Sequence, residues 1–273
     1  MTSSADIAGA TVALWRYPVK SMMGEELNAS ELTERGLLGD RAYALIDQVE
    51  GRIASAKNPR KWPHLFDFRA IYVEPPRRDR PAPIRITFPD GRTSTTGQAG
   101  LDDLCSTALG RAVALLTKAP ERPQLEEYWL DMDGLAHRET VTVENTLANG
   151  FFDCAPVHLL TTATLERLRQ LYPQGRFEPR RFRPNIIVDV GGGAAGFAES
   201  AWIGRTLAIG DEVRLQVNDP CGRCVMTTLP QYDLPKDPGI LRTAVQHNKG
   251  AVGVYASVLR GGTVRRGDPV RLI

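Results

Sequence analysis

The chain has 273 residues and a mass of 30.0 kDa, a length that suits about two domains. Hydrophobic residues at 42% and charged residues at 24% exclude a disordered, collagen-like or membrane-bundle chain. Lys and Arg number 34 against 32 Asp and Glu, a net charge of +2, so there is no electrostatic ground for expecting a nucleic-acid partner.

The 25 glycines and 19 prolines favour turns and short strands over long helices. The N-terminus MTSSADIAGATVALWRYP lacks a basic region followed by an apolar core, so no secretion signal is expected. No apolar run approaches the ~18 residues of a bilayer span. A cytoplasmic location with reduced thiols at Cys105, Cys154, Cys221 and Cys224 is the resulting expectation. A chain of this length buries a core without disulfides.

In chain order, TVALWRYPVKS reads as an extended apolar segment ending in a turn, and DRAYALIDQVEGR as a strand running into a tight turn. IRITFPDGRTSTT places Asp90-Gly91 between two strand-like runs, a hairpin signal. LDDLCSTALG is a short helix stopped by Gly110, and RAVALLTKA is a strand. Residues 119–150 have little period and read as the connection between two domains, with room for one short strand. VHLLTTATLERLRQLYP contains the clearest helix: Leu165, Leu168 and Leu171 recur at i, i+3 and i+6 behind a capping threonine. Pro173 and Gly175 end it. NIIVDV is a short apolar strand, RTLAIGDEVRLQVND a hairpin around Gly210-Asp211, and ILRTAVQHN another short helix. VGVYASVL and TVRRGDPVRLI close the chain as strands beside a turn at Gly261-Gly262. The total predicts a mainly β chain with a few short helices (α+β), arranged as two β-barrel-like units.

Four segments carry chemistry. Cys221-Gly222-Arg223-Cys224 is a C-x-x-C pair with four open readings. Structural zinc needs two further ligands. A redox dithiol needs a helix N-terminus, which the β-branched, proline-broken segment after Cys224 argues against. The remaining readings are two ordinary loop thiols, and one thiolate ligating a soft or high-valent metal, kept deprotonated by Arg223. Tyr17-Pro18-Val19-Lys20-Ser21 sets one cation and one hydroxyl at a turn, a way to hold an anion, although most such pairs are simply solvated. Gly36-Leu37-Leu38-Gly39-Asp40-Arg41 is a tight turn; spacing alone favours an Asp40–Arg41 pair that stabilises it. Arg180-Arg181-Phe182-Arg183-Pro184-Asn185 is either a solvated basic edge or a set of planar forks for phosphate or a fused polar ring. Proline at 184 biases Arg183 to extended backbone. Gly191-Gly192-Gly193 follows a strand without a helix, so it is no dinucleotide fingerprint. A P-loop, a nucleophile elbow and an HExxH helix are all missing from the sequence.

Together these pieces resemble the MOSC family, named for the C-terminal domain of molybdenum cofactor sulfurase. YPVKS at 17–21, GDR at 39–41, FRPNI at 182–186, C-x-R-C at 221–224, VGVY at 252–255 and GDPV at 267–270 stand in the order the family shows. Within it the set is most similar to the amidoxime-reducing branch. The resemblance implies a MOSC N-terminal β-barrel domain over 8–118, a connection over 119–134 and a MOSC domain over 135–273. It implies that Cys224 ligates molybdenum and is the catalytic metal ligand. It also implies that Lys20, Ser21, Arg41, Arg183, Asn185 and Arg223 grip the phosphate and pterin of the molybdenum cofactor, with Tyr255 near the same site. Cys154-Ala155 replace a Thr-Ser pair of the family, so only backbone contacts remain there. Such a cofactor supplies the redox chemistry while the protein orients it.

The implied function is two-electron reduction of N-hydroxylated substrates such as amidoximes and hydroxylamines. The chain lacks the cysteine set of an iron–sulfur cluster, so electrons are expected from a separate ferredoxin- or cytochrome-type carrier with its reductase. Pyridoxal phosphate is not expected, nor is a nucleic-acid or membrane partner. The alternative is a non-catalytic carrier of the cofactor, or of sulfur as a persulfide on Cys224. A thiol–disulfide protein using Cys221 and Cys224 is a third reading.

Overall fold

The computed structural model describes residues 6–80, 82–128, 140–144, 150–191 and 196–273. Its first half contains β1 (Asp6–Arg16), β2 (Glu25–Leu27), β3 (Ala29–Thr33), β4 (Gly36–Leu37), β5 (Ala44–Asp47), β6 (Arg69–Tyr72), β7 (Ile84–Thr87), β8 (Thr93–Thr95), α1 (Leu101–Leu109), β9 (Val113–Leu116), β10 (Gln124–Tyr128) and β11 (Thr140–Glu144). The second half contributes β12 (Val157–Thr161), α2 (Thr162–Leu171), α3 (Pro179–Phe182), β13 (Ile186–Asp189), β14 (Thr206–Ile209), β15 (Val213–Gly222), α4 (Pro238–Asn248), β16 (Ala251–Arg260), β17 (Gly262–Arg265) and β18 (Pro269–Leu272). The chain is mostly strand, as the sequence indicates.

Seven strands close a barrel in the order β1-β13-β12-β16-β15-β14-β18 and back to β1, with β2 added along the end of β1. Closure comes from residues far apart in sequence: Leu14 lies opposite Ile186, and Asp6 opposite Leu272. The first strand of the chain therefore closes a barrel whose other six strands all follow residue 156. The pair β12–β13 is parallel, which requires a crossover, and α2 and α3 supply it. Thr161 caps α2 by accepting from the Thr164 N–H at 3.2 Å. Leu165 and Leu168 turn inward with Phe177, Phe182, Ile240 and Val252, forming a helical layer over the barrel. The barrel is filled by Leu14, Leu159, Ile186, Leu207, Leu215, Val254 and Val270. Each such side chain stabilises the fold by roughly 1.5–3 kcal/mol relative to exposure.

The first half assembles short sheets, β5–β9 and β6–β7–β8, around Val19, Met22, Trp62, Phe68, Ile84 and Val113, while the sheet β17–β3–β4 packs Leu32, Leu37 and Val264 onto the barrel core. The expected Asp90-Gly91 hairpin is β7–β8. Gly110 caps α1 in a left-handed conformation, as expected. Residues 119–150, expected to hold one short strand, contain the antiparallel pair β10–β11. Residues 129–134 of the expected connection, and residue 135 itself, lie outside the described residues, as do Gly192 and Gly193. Val225, Met226 and Leu229, from the segment after β15, are buried in the core of the first half. That plug joins the two halves, and Cys224 stands at its base.

Candidate functional site

Three loops meet at the seam. The first follows β1 and carries Tyr17, Lys20 and Ser21. The second precedes β5 and carries Asp40 and Arg41. The third runs from α3 into β13 and carries Arg183 and Asn185. Asn185 ties them together. Its Nδ2 donates to Asp40 Oδ2 at 2.9 Å and to the Trp15 carbonyl at 3.3 Å, while its Oδ1 accepts from the His158 N–H at 3.1 Å. Asp40 in turn accepts from the Tyr17 N–H at 2.7 Å and pairs with Arg41. The pair expected from spacing is present, and Arg41 also reaches beyond it, donating to the Arg183 carbonyl at 3.3 Å.

Arg183 corrects one expectation. Its backbone is left-handed, at φ 55° and ψ 47°, rather than extended. It ends α3, with its N–H bonded to the Pro179 carbonyl at 3.0 Å. That conformation sends its guanidinium over the Tyr17 ring at 4.1 Å and onto the Met22 carbonyl at 2.6 Å. These contacts offset the local preference against the left-handed region before proline. Burial and the neighbouring Arg41 bring the Arg183 pKa down to about 10. Arg41 covers Tyr17 as well, at 4.6 Å. Burial raises the phenol to about 12 against the pull of Arg183 and Arg41. The solvated-edge reading of the arginine run holds for Arg180 alone, which pairs with Glu178 and Asp233. Arg181 is fully buried.

Lys20 is buried, donates to the Phe151 carbonyl at 2.9 Å and pairs with Asp153. Burial lowers its pKa, and Asp153 acts in the opposite sense. Ser21 is buried in a left-handed conformation, and its hydroxyl accepts from the Ala56 N–H at 3.0 Å. Lys57 stands 3.6 Å from Asp153 and also pairs with Glu127. Burial opposes its charge, yet Asp153, Cys224 and Glu127 hold the ammonium above its usual range. Nothing in the sequence singled out Lys57 or Asp153, because both come to the site through partners far along the chain.

Cys224 is half-buried and caps a four-residue 3-10 turn over Val225–Thr228. The turn corrects the expectation of no helical start here: plugging Val225 and Met226 into the core overrides their β-branched, proline-broken context. Burial raises the Cys224 thiol, and Lys57, the Met226 N–H and Arg223 draw it back down. Arg223 reaches Cys221 Sγ at 2.6 Å and donates to the Phe182 carbonyl at 2.9 Å. Although burial opposes it, Cys221, Tyr255 and Cys224 raise the guanidinium's pKa. Tyr255, on β16, is raised by burial and by Cys221. His158 is buried against it, rings 6.1 Å apart, with Nε2 at 3.0 Å from the Val252 carbonyl. Gly253 makes this packing fit: a Cβ there would lie 2.2 Å from His158 Nε2, and its φ is +84°. All four cysteines are free thiols. Among the described residues, no group of three His, Cys, Asp or Glu side chains converges on a bare metal position.

The MOSC domain profile matches residues 146–271, and the MOSC N-terminal beta barrel domain profile matches residues 8–100. The chain belongs to the MOSC family. Mitochondrial amidoxime reducing component 2 of Rattus norvegicus is 27% identical over 96% of this chain and 82% of its own. The Homo sapiens protein of that name is 27% identical over 96% and 83%. Mitochondrial amidoxime-reducing component 1 of Mus musculus is 25% identical over 97% and 82%. The YUAD protein from Bacillus subtilis, a solved structure, is similar with a TM-score of 0.47 at 12% identity over 98% of this chain and 97% of that one. MOSC domains are associated with the molybdenum cofactor. Among the described residues, the buried side-chain atoms without a hydrogen-bond partner include two at this site, the Tyr17 hydroxyl and Arg223 Nε. Among the described residues Arg183 and Arg223 also form no ion pair with a carboxylate. Orphaned donors beside uncompensated cations are what an anionic, hydrogen-bonding group requires, so the residues present fit that cofactor.

Proposed function

We propose that this chain binds the molybdenum cofactor through Lys20, Ser21, Arg41, Arg183, Asn185 and Arg223, with Tyr255 beside it and the Cys224 sulfur as the protein's ligand to the metal. On this reading it reduces N-hydroxylated compounds, amidoximes or hydroxylamines, drawing electrons from a separate ferredoxin- or cytochrome-type carrier. A cytoplasmic location completes the reading. Among the described residues no helix is long and apolar enough to cross a membrane.

The observation that carries the reading is the setting of Cys224. One thiol stands at the seam with Lys57 and Arg223 acting on it, beside the buried Arg183 and the half-buried Arg223, neither with a carboxylate ion-pair partner among the described residues. Thiolate favours soft and high-valent metals. When bound, the cofactor supplies the two-electron redox chemistry. Converting N–O to N–H and water consumes two electrons and two protons.

The chain's own residues bind and orient. Arg183 and Arg41, stacked on one tyrosine, offer planar forks to a phosphate or a pterin edge. Lys20 adds a point charge, and Asn185 fixes the three loops relative to one another. Tyr255 keeps its proton, because burial and Cys221 both disfavour its anion. Val225, Met226 and Leu229 exclude water behind Cys224.

The test is protein purified from a cofactor-competent host. Molybdenum and pterin near one per chain are expected, with benzamidoxime reduced by dithionite-reduced viologen. Cys224→Ala abolishes turnover without lowering the melting temperature. Metal-free protein that carries a persulfide on Cys224 would replace this reading with the sulfur-carrier one.

A further inference from the structure

A cleft of about 830 Å³ opens between the two halves, within the size range of small-molecule sites. Its mouth carries Arg35, Arg77, Arg80 and Lys118, all exposed and none with a side-chain partner among the described residues. Arg78, also at the mouth, is paired with Glu31. The acidic lining residues are Glu34, Asp79 and Asp40, and Asp40 is already engaged by Arg41, Asn185 and the Tyr17 N–H. In a chain with a net charge of only +2, this concentration of cations at one concave surface is local. Deeper in, Leu38, Tyr72, Phe151 and Phe152 supply apolar wall.

The cleft shares its back wall with the site already described. Arg41 lines it and also covers Tyr17. Phe151 lines it and accepts from Lys20 through its carbonyl. A cationic mouth over an apolar wall fits a small organic anion: an unsaturated or aromatic body with a carboxylate or phosphate at one end. We propose that this cleft binds such an anion. On the functional reading above, on which this part rests, the anion is the substrate, so N-hydroxylated compounds bearing a carboxylate or phosphate are preferred over neutral ones.

The probes are benzamidoxime, which is neutral, and 4-carboxybenzamidoxime, which is anionic, titrated calorimetrically into oxidised holoprotein, where no electrons are available for turnover. The anionic probe is expected to bind roughly tenfold more tightly at low ionic strength, the lower end of electrostatic focusing in a charged cleft. That preference falls toward one in 1 M NaCl, where the screening length is about 3 Å. It is also lost in Arg77→Gln/Arg80→Gln/Lys118→Gln, whose three changes are exposed and leave the core intact. Equal affinity of the two probes overturns the proposal, as does a preference that survives in the triple variant. Binding of the anionic probe to cofactor-free protein but not to holoprotein also overturns it, because the cofactor's own phosphate then fills the cleft. If the preference holds but reduced holoprotein converts neither probe, the reductase reading fails while the cleft stands as an anion site.

Discussion

Replacing Arg181 by methionine tests how the Cys224 turn is held. Arg181 is fully buried and forms no ion pair among the described residues. Its guanidinium donates to the carbonyls of Arg176 at 2.9 Å, Thr227 at 3.2 Å, Leu229 at 3.1 Å and Pro235 at 2.8 Å. Three of these belong to the segment that follows Cys224. Methionine fills similar volume but leaves four acceptors unpaired, at ~1–3 kcal/mol each where water cannot reach. Removing a buried charge returns part of that, because a desolvated guanidinium is itself costly. Burial lowers its pKa, with Asp237 and Glu178 acting in the opposite sense. A net loss of ~3–5 kcal/mol follows from breaking such a network on one side. At ~2–4 °C per kcal/mol for a chain of this size, calorimetry should show a drop of about 6–20 °C. Alkylation of Cys224 by iodoacetamide should also quicken, because the 227–235 segment loses its anchor. Leu207→Ala, in the barrel interior, has a comparable cost of ~2–5 kcal/mol and should leave that rate unchanged. A melting temperature within 1 °C of the parent, or equal alkylation rates in the two variants, would refute the reasoning.

His158 is held neutral in the fold, with its pKa brought down by burial and Arg223 to about 3. Below pH ~6.5 the unfolded chain binds a proton that the folded chain refuses, so His158 lowers stability by up to ~1.4 kcal/mol per pH unit as the pH falls. Urea unfolding between pH 6.5 and 5 should show that slope, and His158→Gln should flatten it; an unchanged slope would place the titration elsewhere. Gly253→Ala forces a Cβ into His158 and the Leu159 carbonyl at a φ that disfavours side chains, so a loss of about 3 kcal/mol or more is expected in thermal unfolding. Lys20→Met strands the Phe151 carbonyl and removes one cation from the proposed cradle. Its expected loss is ~1–3 kcal/mol, with lower molybdenum content after dialysis. Arg180→Ala loses ion pairs only to the half-buried Glu178 and the exposed Asp233 and should change stability by less than ~1 kcal/mol.

Much of the fold was legible because local signals agreed with it. Asp90-Gly91, Gly110, the leucine spacing of α2 and the Gly210 hairpin each gave the element that forms. Barrel closure was not, since β1 meets β13 and β18 across more than 170 residues and no local pattern records such a pairing. At the site, motif order brought Lys20, Arg41, Arg183, Asn185 and Cys224 forward from separate loops, and the structure sets those loops side by side. Lys57 and Asp153 had no motif; only their mutual ion pair and its reach to Lys20 mark them. Arg181 and Arg183 sit two residues apart in one basic run, yet one anchors the Cys224 turn and the other stacks on Tyr17. Sequence distinguishes neither from the solvated Arg180, because the difference lies in which carbonyls and rings the fold brings within reach.

Molybdenum K-edge absorption of the purified protein tests most directly whether the Cys224 sulfur reaches the metal. Parent protein should show one more sulfur neighbour than Cys224→Ser, with an oxygen neighbour gained in the variant. Identical sulfur shells in the two proteins would contradict the assignment.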